Sequence, residues 1–117
     1  MDAAGYRKLL KRAPFGYAHH RIIIDEQGIP VDYQFIEIND RFAKLTGLDG
    51  QAVAGSLVTE VIPGITEDEF DWIGFYGNVA LKNCEESFEQ YSQKLGRWYK
   101  VYAYSPAPYD FVTFFLT

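Results

Sequence analysis

Hydrophobic and polar positions change period several times along this 117-residue chain, and each change marks an element. Tyr6, Leu9, Leu10 and Ala13 recur at helical spacing, which predicts a helix over 3–13. Pro14 ends it, because its ring disfavours helical geometry in the residue before it. The apolar stripe is narrow, so this helix needs a partner surface. Gly16 to Asp25 reads as a strand centred on Ile22-Ile23-Ile24, and Asp25-Glu26-Gln27-Gly28 as a turn. Val31 to Ile38 completes a hairpin. Asn39 suits a helix N-cap, with Phe42, Ala43 and Leu45 on one face and Gly47 as the C-terminal stop. Single helical turns follow at 51–54 and 59–62, separated by Gly55 and closed by Pro63-Gly64. A longer helix is expected to begin near Thr66, with Glu67, Asp68 and Glu69 in a first turn whose dipole favours negative charge. Trp72, Ile73, Tyr76, Val79 and Ala80 form its apolar stripe.

The last third predicts three short strands. Trp98, Tyr102 and Tyr104 fall on one side of the middle one, and Tyr99, Val101 and Ala103 on the other. In the final strand Tyr109, Phe111 and Phe115 oppose Val112, Phe114 and Leu116. A sheet that packs on one face shows polar residues on the other. These strands do not, so both of their faces must be covered. Two groups of strands around a helical middle indicate an α+β domain with a mainly antiparallel sheet, packed by the helices on one face.

Composition narrows the class. With 48% hydrophobic and 17% aromatic residues the chain can bury a real core and reads as one globular domain. No apolar run approaches the roughly 18 residues a bilayer span needs. The basic N-terminus (Arg7, Lys8, Lys11, Arg12) leads into no apolar segment, unlike a secretory signal. The single cysteine, Cys84, excludes an internal disulfide and fits a reducing, cytoplasmic setting. The net charge of −5 is uneven: five basic residues and one acidic up to Arg21 (+4), then six basic and fifteen acidic (−9). An acidic body argues against nucleic acid as a partner. The basic patch reads as the solvated side of the first helix.

The block Asn39-Asp40-Arg41-Phe42-Ala43-Lys44-Leu45-Thr46-Gly47 follows the first hairpin, and Gly55 precedes a short helix. Trp72 and Tyr76 lie on the long helix, Phe88-Glu89 on the next strand, and Gly96-Arg97-Trp98-Tyr99 leads on to Pro106. In this joint pattern the chain resembles the PAS domain family, over roughly Pro14 to the end. Arg97-Trp98-Tyr99 and Tyr104-Ser105-Pro106 look like the sensory-box domains found before histidine kinase or diguanylate cyclase modules. The resemblance implies a PAS fold: a five-stranded antiparallel sheet of order 2-1-5-4-3, with helices on one face and the N-terminal helix on the other. It divides the chain into a flanking helix, 1–13, and the PAS domain, 14–117. Tyr6, Leu9 and Leu10 are then expected to pack on the outer sheet face beside Trp98, Tyr102 and Tyr104, where a second copy completes a homodimer. The output domain of the parent protein is expected beyond Thr117.

No constellation points to catalysis or metal. His19 and His20, as strand neighbours, face opposite ways and cannot readily share an ion, and no ligand spacing recruits Asp25, Glu37 or Cys84. Ser56, Ser87, Ser92 and Ser105 lack a nucleophile elbow, and neither histidine has an obvious orienting carboxylate. Glu67-Asp68-Glu69-Asp71 reads as charge on a helix N-terminus, and Glu85-Glu86 as turn residues. Haem-binding members of the family commonly carry an axial histidine on the long helix, and there is none between Thr66 and Asn83. The light-sensing flavin branch uses a cysteine in a Gly-Arg-Asn-Cys-type motif, which Cys84 does not occupy. Both cofactors are therefore disfavoured, which leaves room for an unidentified small ligand. Trp72 and Tyr76, opposite Tyr99 and Val101, are the expected wall of a small pocket. The function expected is a non-catalytic sensing and dimerisation module. Its alternatives are a purely structural interaction domain, or a small α+β enzyme if a histidine and a carboxylate such as Glu37 converge in one cleft.

Overall fold

The computed structural model describes residues 3–116. A helix, α1 (Ala3–Lys11), leads into the hairpin β1 (Gly16–Ile24) and β2 (Pro30–Ile38). The crossover holds α2 (Asp40–Thr46), α3 (Gly50–Val53), α4 (Val58–Val61), a 3-10 turn at Ile65–Glu67 and α5 (Trp72–Lys82). Three strands finish the chain: β3 (Glu85–Ser92), β4 (Arg97–Tyr104) and β5 (Asp110–Phe115). They form one five-stranded sheet of order β2-β1-β5-β4-β3, every pairing antiparallel, as the resemblance implies.

The sheet order places β1 and β5 in its interior, which explains why their inner positions are buried even where they are polar. Ala18, His20 and Ile22 from β1 meet Phe111, Thr113 and Phe115 from β5 beneath the crossover helices. β2 adds Tyr33 and Phe35, β4 adds Tyr99, Val101 and Ala103, and α5 closes the layer with Trp72, Ile73, Tyr76, Val79 and Ala80. Gly77 is required here, since a Cβ would stand 2.3 Å from Pro30 Cγ.

Asn39 does more than cap α2. Its Oδ1 accepts the Phe42 and Tyr17 amides, both at 2.9 Å, and its Nδ2 donates to the Leu10 and Phe15 carbonyls. One buried amide thus ties α1, β1 and α2 together. Gly47 is left-handed (φ 76°) and closes α2 as expected.

The long helix starts later than the sequence pattern indicates, at Trp72 and not near Thr66. Asp68 has extended backbone (ψ 148°) and turns its carboxylate inward, so the acidic run cannot be one helical turn. Asp68 Oδ2 accepts from Trp72 Nε1 (3.0 Å) and Ser92 Oγ (3.4 Å), whereas Asp71 caps α5 by accepting the Gly74 amide. Glu85 and Glu86 are likewise strand and not turn residues, and Glu85 accepts the Tyr102 hydroxyl at 2.6 Å.

The outer face carries Phe114, packed edge-on by Phe15 (5.2 Å between centroids), with the Tyr102 ring parallel to it at 6.2 Å. Tyr102 and Tyr104 are half-buried, and Trp98 is 66% exposed beside Tyr91. The covering element from the N-terminal side is Phe15, immediately after the α1 stop. Leu9 is 55% exposed and Leu10 half-buried, and the Tyr6 side chain lies outside the described residues. Among the described residues no helix is long and apolar enough to cross a membrane.

Candidate functional site

Between the inner sheet face and the crossover helices lies a cavity of about 30 Å3. Tyr33, Phe35 and Phe42 form one side, and Trp72, Tyr76, Tyr99 and Phe115 another. Thr46, Leu48, Ile62, Ile65, Ser92 and Leu95 complete the lining. No charged side chain is among them. A water needs roughly 10–15 Å3 on this scale, so the cavity has room for only two or three.

Apart from the Trp72 indole N–H, the side-chain polar atoms of this wall are hydroxyls. Tyr76, 2% exposed, buries its hydroxyl with no protein partner, and burial raises its pKa well above the ordinary value. Burial likewise raises the Tyr33 and Tyr99 pKa values, so all three phenols stay protonated at neutral pH. Tyr99 donates to the Leu45 carbonyl (3.1 Å) at the end of α2. Asp68 stands behind the wall, binding Trp72 and Ser92, with its second oxygen buried and unpaired.

Of the four residues expected to wall a pocket, the structure places Trp72, Tyr76 and Tyr99 on the cavity. Val101 is fully buried but does not line it, because the strand alternation puts it one step further along β4, past Tyr99. The other lining residues lie outside the expected set. Among them Thr46 and Leu48 come from the end of α2 and the turn after it, Ser92 and Leu95 from the end of β3 and its turn into β4, and nothing in their local pattern shows that these segments meet.

The two histidines face opposite sides, as the strand alternation requires. His20 is enclosed by Tyr33, Phe35, Tyr76 and Phe111, and its ring stacks on Phe111 at 4.4 Å. Burial lowers its pKa from 6.5 to about 3, so it is a neutral core residue. Glu37 instead lies opposite His19 in the β1–β2 register. His19 does have a carboxylate partner, contrary to the sequence expectation: Nε2 lies 3.1 Å from Asp110 Oδ2, and Arg21 Nε donates to Oδ1 at 2.9 Å. The antiparallel β1–β5 register brings Asp110 there from 91 residues away. This trio sits on the outer face, away from the cavity. Among the described residues no three His, Cys, Asp or Glu side chains converge to hold a metal ion.

No protein-family model matches the chain, and no curated protein is significantly similar to it. Solved structures are. A domain of a sensory box sensor histidine kinase/response regulator from Geobacter sulfurreducens superposes with a TM-score of 0.64. It is 12% identical, and the match covers 98% of this chain and 93% of that one. The PAS domain of an HTR-like protein from Haloarcula marismortui gives a TM-score of 0.59 at 17% identity, covering 97% and 94%. The chain has the PAS fold. The photoactive yellow protein domain from the sensor histidine kinase Ppr of Rhodospirillum centenum shares it, with a TM-score of 0.57 and 16% identity over 100% and 94% of the two chains. In this PAS fold the cavity lies between the inner faces of β2, β4 and β5 and the helices α2 and α5, and no histidine or cysteine lines it.

Proposed function

We propose that this chain is a non-catalytic PAS sensor and dimerisation module, 14–117 with the flanking helix 1–13, coupling a small uncharged ligand to an output domain elsewhere in its parent protein. The cavity carries this reading: an apolar chamber with no charged lining residue and one buried hydroxyl, that of Tyr76, without a protein partner. Such a group costs free energy unless something in the chamber accepts or donates to it. The lining does not fit a histidine-ligated haem or a cysteinyl flavin adduct, since it holds neither residue. A ligand larger than two or three waters must displace a lining side chain, which gives the chamber two packings for binding to choose between. Native mass spectrometry of the purified protein, followed by Trp72→Ala, tests the reading. A co-purifying small molecule that Trp72→Ala no longer holds, with the fold intact, supports it; unchanged affinity in that variant refutes the assignment.

The small cavity also favours a second reading, a structural interaction domain that binds nothing small. Both readings use the outer face, where Trp98, Tyr102 and Tyr104 extend the Phe15–Phe114 cluster. A second copy would bury these groups at about 25 cal/mol per Å2 of apolar area. Sedimentation equilibrium is expected to show a dimer that Trp98→Glu weakens, and a strict monomer at high concentration overturns the homodimer.

A further inference from the structure

The lining of the cavity shows where it opens. Leu48 and Leu95 are half-buried, whereas the other lining residues are buried. The mouth therefore lies between the turn after α2 and the turn joining β3 to β4. The β3–β4 turn is held down on both sides of this mouth. Arg97 Nη1 donates to the Leu45 carbonyl at 2.7 Å and approaches the Lys44 carbonyl at 3.4 Å. These are carbonyls of the last turn of α2, which no later residue of that helix can satisfy. On the opposite side Lys94 Nζ lies 3.6 Å from Glu67, and its stem crosses Gly64, where a Cβ would stand 2.8 Å from Lys94 Cε. Gln93 Oε1 accepts the Glu69 amide, and Ser92 reaches Asp68.

We infer that residues 92–96 form a hinged lid over the cavity, with Arg97 as its latch on α2 and Lys94 as the catch on the Gly64–Glu67 turn. The contacts fit that role. Both cations are exposed, so each contact is weak enough to break on a functional timescale. The side chain that plugs the mouth, Leu95, belongs to the lid itself. Gly96 supplies a left-handed hinge residue (φ 70°) between lid and strand. The inference takes the cavity of the proposed sensor as its starting point, but passage through the mouth can be measured whether or not a natural ligand exists.

Trp72 lines the cavity, and the remaining tryptophan, Trp98, is exposed on the outer face. In a Trp98→Phe background, acrylamide quenching of Trp72 fluorescence reads entry of a small neutral molecule. Arg97→Ala is expected to raise the bimolecular quenching constant roughly fivefold, the upper end of what loss of one solvent-exposed charged contact gives. Lys94→Ala should raise it in the same direction, and Arg97→Lys should restore part of the protection. Lys100→Ala, on the outer face of the same strand, should leave it unchanged. Circular dichroism confirms that each variant is folded, and Lys94→Ala stands in should Arg97→Ala fail to fold. Quenching unchanged by the latch and catch variants, or raised equally by Lys100→Ala, overturns the lid. A lid confirmed this way with no ligand found would leave the mouth standing and remove the sensor reading.

Discussion

Replacing Asn39 with alanine removes four hydrogen bonds that join α1, β1 and α2. The side chain is 2% exposed and makes four hydrogen bonds of 2.7–3.0 Å, two accepted from backbone amides and two donated to backbone carbonyls. Loss of a helix N-cap alone costs about 1 kcal/mol. The Tyr17 amide is also stranded in a buried position, which adds about 1–2 kcal/mol. The Leu10 and Phe15 carbonyls lie closer to water, so together they add about 1 kcal/mol. The sum is about 3–4 kcal/mol, a large part of the roughly 5–15 kcal/mol that holds such a domain folded.

Urea denaturation measures this directly, and thermal melting should fall by about 15 °C for a domain of this size. Asn39→Asp offers a control of different chemistry. It keeps the acceptor for Phe42 and Tyr17 but faces two carbonyls with a carboxylate, so its loss should shrink as pH falls and the carboxyl becomes a donor. A loss below about 1 kcal/mol in Asn39→Ala would refute the claim that all four bonds are made together. Retention of full amide-exchange protection at Leu9–Phe15 in that variant would refute the specific claim that this residue fastens α1 to the domain.

Three further outcomes follow from the geometry. Gly77→Ala should destabilise by about 2 kcal/mol in urea despite alanine's better helix propensity, because the new methyl overlaps Pro30; a gain in stability would sink that packing. His20 titrates near 6.5 when unfolded and near 3 when folded, so the unfolded state takes up a proton first and stability is lost as pH falls below about 6.5. The slope should approach 1.4 kcal/mol per pH unit between pH 6 and 5, be absent from His20→Phe and so appear in the difference between wild type and that variant; identical pH profiles would contradict a neutral buried ring. Tyr109 has a left-handed backbone (φ 69°) with its side chain half exposed, so Tyr109→Gly should stabilise by about 0.5–1 kcal/mol, and any loss would show that the ring contributes packing.

The strands were legible because alternation and turn residues are local signals, whereas their order in the sheet came from the resemblance to the PAS family; Asn39 and Gly47 announced the ends of α2 by their own chemistry. The start of α5 was not. Glu67, Asp68 and Glu69 have the composition of a helix N-terminus, but Asp68 is drawn inward by Trp72 and Ser92, the latter 24 residues away. Asp110 as the partner of His19 was hidden for the same reason, since only the strand register brings them together. The candidate site divides similarly. Trp72 and Tyr76 shared a helix face that could be counted, whereas Thr46, Leu48, Ser92 and Leu95 meet only because two turns converge. Arg97 stood in a recognisable block, but its role depends on the free carbonyls of α2.

The doubly apolar strands β4 and β5 acquire a mechanical meaning from what stands on each side. Tyr99 and Phe115 line the cavity, and their rings meet at 5.1 Å. Their sequence neighbours Trp98 and Phe114 stand on the opposite face, where the proposed partner would sit. A strand cannot shift one face and leave the other fixed, because alternate side chains share one backbone. Any ligand that moves Tyr99 or Phe115 therefore acts on the atoms that position Trp98 and Phe114, across a single layer. The lid adds a second lever at the same place, since Arg97 begins β4 and is followed at once by Trp98. For such proximity to become signalling, the two faces must prefer the same two packings and the ligand must bind one of them more tightly. A double-mutant cycle between Arg97→Ala and Trp98→Glu, read as the dimer dissociation constant, measures that preference. Coupling of about 0.5 kcal/mol or more is the expected result, and strict additivity would separate the lid from the interface.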